Sequence, residues 1–387
     1  MKRVLLMVMA ISLVLLAGCG STAAPPVATP EPVAPQSTPE KPGEPSDPAI
    51  VQEAAIVTPQ GSTCAPDSQI VEPFPILFST THKPGAASCE LQRNMLKVFE
   101  EKAPGMFKFE MYDSAVLYNT DAELPAILSG DIDMSCIQPS FLYDNGVAWG
   151  NMLDMGYLNV SYDHMKAIYD LNGDIGKDLQ QRLWDELHVM TFGAEYLGTR
   201  NIWLAKYKEI KTPEDLQGIK LRMPSSASYV MLGEGLGINP TPLDISEIYL
   251  AMETGTVDGH ENLVLPTFTQ GQVECAETLV KTEHMICPNF VTLNGDTWQK
   301  MTAKQQETFY TLMLECIEIN DEQILVLEEE TFKKCEDEFG VVFQYPDKQA
   351  FIDRVQSYYL SKPENQANWD MDLLDRINTL GKEYLKQ

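Results

Sequence analysis

The sequence predicts an α/β protein of two lobes, with sheets flanked by helices. Three observations carry this expectation. Alternating apolar residues at 75–82 and 107–112, and a strand start at 130–134, enclose helical stretches at 87–102 and 123–128. That order builds a mostly parallel, doubly wound sheet. Beyond residue 72 there remain about 315 residues, more than one hydrophobic core usually organises. Finally, Thr302 opens a long helical pattern to about Phe339, with Phe309, Leu312, Met313, Cys316, Ile317, Ile324 and Leu327 on one face.

The chain begins with Lys2 and Arg3 and an apolar run at 4–16, too short for a permanent membrane span. Leu16-Ala17-Gly18-Cys19 is similar to a bacterial lipoprotein cleavage box. Residues 1–18 are then a lipoprotein signal peptide and Cys19 the acylated first residue of the mature chain, held on an outward-facing membrane surface. An ordinary secretory signal with an incidental cysteine is the plainer alternative. Residues 19–72 read as a Pro-rich, disordered linker: Pro25, Pro26, Pro30, Pro32, Pro35, Pro39, Pro42, Pro45, Pro48 and Pro59 punctuate Ala, Ser, Thr and Glu. Such a segment buries too little apolar surface to offset its ordering entropy and spans on the order of 40 Å as a coil.

The formal charge of −28 becomes −30 once Lys2 and Arg3 leave with the signal. So acidic a chain excludes nucleic acid and an anionic lipid surface as partners, and requires any anion site to be a local cationic pocket.

Further along, 162–187 carries helical patterning with Leu179, Leu183 and Leu187 as core, and 189–196 reads as a strand leading to Arg200. Thr212 is a helix N-cap with Pro213 at the first helical position, and Gly218 stops that short helix. Ile219, Leu221 and Met223 alternate with Lys220 and Arg222 as a strand ended by Pro224. Arg222 therefore sits at a strand's carboxyl end, where open α/β sheets place ligands. Two guanidiniums, Arg200 and Arg222, can engage a carboxylate by paired hydrogen bonds; surface arginines paired with the abundant acids are the bland reading. Gly233-x-Gly235-x-Gly237 looks superficially like a phosphate loop but reads as a helix C-cap and turn after a helix at 226–235. Asn239–Pro242 is a rigid Pro-punctuated connection, and Ser246 caps a helix closed by Gly255. A strand is expected at 291–293, and helices at about 348–360 and 368–385 as a cover.

Three runs in order resemble one family: Asp215-Leu-Gln-Gly218-Ile-Lys-Leu-Arg222-Met-Pro224; Asn239-Pro-Thr-Pro242-Leu-Asp-Ile-Ser-Glu247-Ile-Tyr249; and Gly255-Thr-Val-Asp258-Gly-His-Glu-Asn262. They are similar to the extracytoplasmic solute receptors of tripartite ATP-independent periplasmic (TRAP) transporters, over about 75–339. The resemblance implies a two-lobed periplasmic-binding-protein-like fold of mixed sheets, with the long helix spanning both lobes. The expected division is lobe I at 73–197 plus 289–327 and lobe II at 198–288 plus 328–387. It implies a small organic acid held in an interlobe cleft and delivered to small and large membrane permease subunits. Arg222 is then the carboxylate anchor, assisted by Arg200, Asn262 and Ser225; for Asn262 the plainer reading is a turn-capping side chain. His82, in a His82-Lys-Pro84-Gly85 turn like the family's, and Gln138 and Ser140 stand at positions the family uses for ligand contacts; a surface loop histidine is the blander reading of His82. Glu247 either orients a cleft arginine or starts its helix dipole favourably. Two departures stand out. His260 replaces the family's usual Gln, and Ile245 stands where some sialic-acid-binding members have an aromatic residue, which weakens that substrate. The region at 268–279 is a looser match to the family's hinge-side helix.

Five histidines show no metal-ligand spacing, the acidic run at 328–330 reads as a solvated face, and no nucleophile with a paired base appears, so neither a metal, a cofactor nor an enzyme is expected. Seven cysteines beside Cys19 leave at least one free within a monomer. A ligand-presenting sensor module for a membrane receptor kinase is the alternative to transport.

Overall fold

The computed structural model describes residues 56–385; the signal peptide, Cys19 and the linker up to residue 55 lie outside the described residues. No described helix is long and apolar enough to cross a membrane.

The first half alternates as its periodicity predicts: β1 (Phe74–Ser79), α1 (Ala87–Lys102), β2 (Phe107–Tyr112), α2 (Thr120–Ser129) and β3 (Met134–Ile137). Both β2 and β3 pair parallel to β1, one on each side. Three helices follow, α3 (Ser140–Asp144), α4 (Tyr162–Tyr169) and α5 (Asp174–Leu187), then the long strand β4 (Val189–Leu204). The helical stretch expected at 162–187 is two helices, since residues 170–173 turn the chain between α4 and α5.

The second half begins with β5 (Lys220–Met223), α6 (Ala227–Leu236) and β6 (Asn239–Pro242). Asn239–Pro242 is thus a strand, not the connection its prolines suggest. It pairs parallel to β5 at the end of the sheet, where missing N–H donors are tolerated. Then come α7 (Ile248–Glu253), β7 (Gly259–Asn262), α8 (Val264–Thr269) and β8 (Thr278–Asn294). The expected strand at 291–293 is only the tail of this 17-residue strand, and residues 278–279 belong to it rather than to a hinge-side helix. The remainder is α9 (Gly295–Lys300), α10 (Ala303–Phe339), β9 (Val342–Gln344), α11 (Lys348–Ser361), α12 (Pro363–Gln366) and α13 (Met371–Tyr384).

The strands form one mixed sheet in the order β2-β1-β3-β8-β4-β7-β5-β6, with β9 also on β8. Its spine is the antiparallel pair β4 and β8. The C-terminal end of β8 takes β3, and the C-terminal end of β4 takes β7, so the two long strands carry one lobe's sheet into the other's. The pair is not regular: its register shifts between Thr191 and Ala194, Tyr196 and Thr199, and Arg200 and Ile202, and Gly193 and Gly198 have φ of +85° and +123°. Such bulges bend a strand and raise its twist.

Helix α10 lies along this bend. At 37 residues it is about 55 Å long. Its first half packs on α1, with Phe309 and Phe99 rings 5.1 Å apart, and its end on α8, with Phe339 and Phe268 at 5.7 Å. Between these ends it holds the bulge. Asp321 Oδ1 accepts from Tyr196 N at 2.7 Å, Glu328 Oε1 from Thr199 N at 2.8 Å, and Glu328 Oε2 from the Tyr196 hydroxyl at 2.6 Å. Glu328 is buried, unlike Glu329 and Glu330, so the acidic run is a solvated face at only two of its three positions. A Cβ on Gly198 would stand 3.1 Å from Glu328 Oε1, which with its positive φ explains the glycine.

Two expected boundaries change. The linker's last residues, 56–72, are bound to the body: Ala65 N donates to Met301 O at 2.9 Å, and the Gln305 and Gln306 side-chain amides donate to the carbonyls of Val71 and Thr63, both at 2.8 Å. The last helix also departs from the expected grouping of 328–387. It packs on α4 and α5 through Arg376 to Asp178 (2.6 Å) and His164 to the Ile377 carbonyl (3.1 Å).

Two further carboxyl groups buried in this frame are Glu195 and Glu123. Glu195 accepts from its β8 partner Asn289 at 2.9 Å, and Glu123 from the Ser79 hydroxyl at 2.9 Å. Burial pushes each up to about 7. Between about 4.5 and 7 the folded protein binds a proton at Glu195 that the unfolded chain does not, so this group's stabilisation is present at low pH and is lost as pH rises through 7. Glu195→Gln should therefore gain stability over the wild type between pH 5 and pH 8, by about 2–3 kcal/mol for a shift of this size. Urea unfolding of both proteins at the two pH values measures it; a difference that does not change with pH contradicts the assignment.

Candidate functional site

The candidate site gathers where β4, β7 and β8 run side by side and β5 and α6 close over them. β4 supplies Arg200, β7 supplies Glu261 and β8 supplies His284, all buried. Arg200 Nε and Nη2 donate to Glu261 Oε2 and Oε1, both at 2.7 Å, a two-pronged pair. His284 Nε2 lies 3.1 Å from Glu261 Oε2, and its Nδ1 2.8 Å from the Thr282 hydroxyl. Burial lowers the His284 pKa, and the neutral ring donates to the carboxylate while accepting from Thr282. Although burial opposes its charge, the Arg200 guanidinium and the His284 hydrogen bond hold the Glu261 carboxyl well below the usual carboxylate range.

This corrects the expectation for Arg200. Its fork is filled by Glu261, and its flat face lies 4.8 Å from the centre of the Tyr229 ring, so it is a paired charge rather than an open carboxylate receptor. Sequence reading missed Glu261 and His284. Glu261 stood inside the motif, but the partner that gives it meaning lies 61 residues away.

Arg222 is placed differently. It is also buried, at the C-terminal end of β5, and its Nε donates to the Leu243 carbonyl at 2.8 Å. Among the described residues its terminal nitrogens have no hydrogen-bond or ion-pair partner. Burial brings its pKa down to about 10, so it stays charged at neutral pH. On the neighbouring strand His260 lies level with Arg222, fully buried and stacked on Trp203 with 6.2 Å between centroids. Burial and the Arg222 charge push His260 down to about 3, so it is a neutral ring, with neither nitrogen partnered among the described residues. Asn262, two residues on, keeps its Oδ1 on Leu263 N (2.9 Å), while its Nδ2 has no partner among the described residues.

Ser225 is exposed, and its neighbour Ser226 is the buried one, at the start of α6 with its hydroxyl unpartnered among the described residues. Periodicity does not reveal which of two adjacent loop serines turns inward. Glu247 is exposed and its carboxylate accepts from Asp244 N (3.0 Å), completing a capping box in which Asp244, not Ser246, is the cap. Of the two readings of Glu247, the helix start describes it. Ile245 is half-buried, its carbonyl accepting from Gln272 Nε2 at 3.3 Å.

From the other side come β3 and the loop after β1. The Tyr229 hydroxyl donates to Gln138 Oε1 at 3.4 Å, a contact from α6 to the end of β3. Ser140 opens α3, buried. His82 is half-buried, and the surrounding protein pushes it down to about 4. The seven described cysteines are all free.

The chain matches the model of bacterial extracellular solute-binding protein, family 7, over residues 78–365. It is 25% identical to the sialic acid-binding periplasmic protein of Vibrio cholerae over 281 residues, 71% of this chain and 84% of that protein. It is 26% identical to the C4-dicarboxylate-binding periplasmic protein of Rhodobacter capsulatus, over 60% and 69% of the two chains. Its fold is similar to a solved TRAP periplasmic solute binding protein from Roseobacter denitrificans with bound 3-deoxy-D-manno-oct-2-ulosonic acid. The TM-score is 0.73 and the identity 29%, over 79% of this chain and 99% of that one.

Removing one partner of a buried ion pair leaves the other uncompensated, which costs about 3–5 kcal/mol. Glu261→Ala is expected to lose stability of that order by chemical denaturation, although it deletes no apolar core. A loss below about 1 kcal/mol, the range of a surface pair, contradicts the pairing.

Proposed function

This chain belongs to the bacterial extracellular solute-binding proteins of family 7, and from that premise we propose how it holds its solute: Arg222 receives the carboxylate of a small organic acid. The protein is a TRAP-type solute-binding protein that binds a small acid, not an enzyme. The observation that carries the assignment is a buried, charged guanidinium whose terminal donors have no partner among the described residues. Such a group is costly to leave alone, and a carboxylate satisfies it by two parallel hydrogen bonds. Asn262 Nδ2 and the Ser226 hydroxyl are the assisting donors, Ser226 taking the part expected of Ser225. Arg200 acts behind them, its charge balanced by Glu261.

The two lobes, 73–197 with 289–327 and 198–288 with 328 onward (the last helix excepted), close on the acid by bending the β4–β8 pair. Closure then presents one lobe arrangement to the small and large permease subunits. The relatives are named as periplasmic binding proteins, which supports uptake over presentation to a sensor kinase. Cys19 carries the lipid that tethers the receptor to the membrane, and the following Pro-rich segment gives it reach.

Arg222→Ala should weaken binding of the natural acid by about 2–5 kcal/mol, read by isothermal titration, with the fold unchanged by circular dichroism. Undiminished affinity refutes the anchor. Cys19→Ser should move the protein from the membrane to the soluble fraction and remove acyl mass from its N-terminus. A variant that still fractionates with membranes refutes the lipid tether.

A further inference from the structure

Tyr229 stands between the Arg200–Glu261 pair and the other lobe. It lies in the first turn of α6, is 1% exposed, and meets a different neighbour at each end of its side chain. The centre of its ring is 4.8 Å from the guanidinium carbon of Arg200, so the ring covers a cation whose Nε and Nη2 already serve Glu261. Its hydroxyl crosses to Gln138, just past the end of β3, and donates to the amide oxygen at 3.4 Å. β3 belongs to the sheet of lobe I, between β1 and the C-terminal end of β8. α6 is held on the side of lobe II: it joins β5 to β6, and its Glu234 accepts from the Tyr358 hydroxyl of α11.

A buried tyrosine needs a seat for its ring and a partner for its hydroxyl, and a ring over a desolvated guanidinium gains from the contact. Here seat and partner come from different lobes. A rotation that parts the lobes takes the hydroxyl from its acceptor and uncovers the ring. Resting on the carboxylate anchor above, we infer that Tyr229 is a positioning residue that latches the two lobes: seated on Arg200 and bonded to Gln138, it opposes opening of the cleft and sets how long the acid is held. It acts through Arg200 and Gln138 rather than on the acid itself. Gln138, expected from its position to meet the ligand, is the catch of this latch on lobe I. The effect falls on departure. A contact made when the lobes come together leaves the encounter of acid and open cleft unchanged and slows release.

Stopped-flow kinetics of the mature protein separate the two rates. Sialic acid, succinate, D-glucuronate and 3-deoxy-D-manno-oct-2-ulosonate serve as probes, and the tightest binder among them is used. Tyr229→Phe keeps the ring and removes only the hydroxyl. It should raise the dissociation rate about three- to tenfold, the equivalent of one hydrogen bond, and leave the association rate within about twofold. Gln138→Met should do the same. The double variant should dissociate no faster than the faster single variant, because each change removes the same contact. This cycle isolates the pair from Cys287 of β8, whose thiol also lies within hydrogen-bonding reach of the Tyr229 hydroxyl. An unchanged dissociation rate in Tyr229→Phe, or single effects that multiply in the double variant, would overturn the latch while leaving the anchor standing. If no probe binds, or if Arg222→Ala binds as the wild type does, the anchor fails and the latch with it.

Discussion

Arg200, Glu261 and His284 sit on three adjacent strands, and the two-pronged ion pair they share is the interaction on which the site depends. It ties β4 to β7 and β7 to β8 where water is excluded. Such pairs add little net stability against an apolar alternative, because desolvation offsets the Coulombic gain, but they cannot be half removed. Their effect here is on charge. A cleft with two open guanidiniums would suit any pair of anionic groups. With Glu261 balancing Arg200, Arg222 is, among the described residues of this site, the guanidinium left without an ionic partner.

The same strands also give the molecule its mechanical character. β4 and β8 run from one lobe's sheet to the other's, and three register shifts interrupt their pairing. Ladder hydrogen bonds lost at a bulge have to be replaced, and α10 replaces them with the Asp321 and Glu328 carboxylates. A bend whose backbone is satisfied from a separate helix can change its angle without exposing unpaired groups. This is the property a closing receptor needs at its hinge, and it lies next to Arg200.

Much of the fold was legible in short-range pattern. α1, β2 and α10 have the bounds their periodicity predicts, because each exposes one face and buries another. The long strands were not, since β4 is buried on both faces and its bulges break the alternation that marks a strand. β6 hid behind its prolines. The bound end of the linker hid behind its composition, because its partners are glutamine amides about 240 residues away. Motif spacing singled out Arg222 and Asn262, both of which the structure buries. It could not show that Glu261 fills Arg200 or that Ser226 rather than Ser225 turns inward. Each of these depends on side-chain direction or on a distant partner.

The most direct test is a crystal structure of the mature protein with an organic acid it retains or binds. The predicted result is the acid's carboxylate at about 3 Å from the terminal nitrogens of Arg222, with Arg200 still paired to Glu261. A carboxylate held instead by an Arg200 released from Glu261, or one bound away from both arginines, would contradict the account.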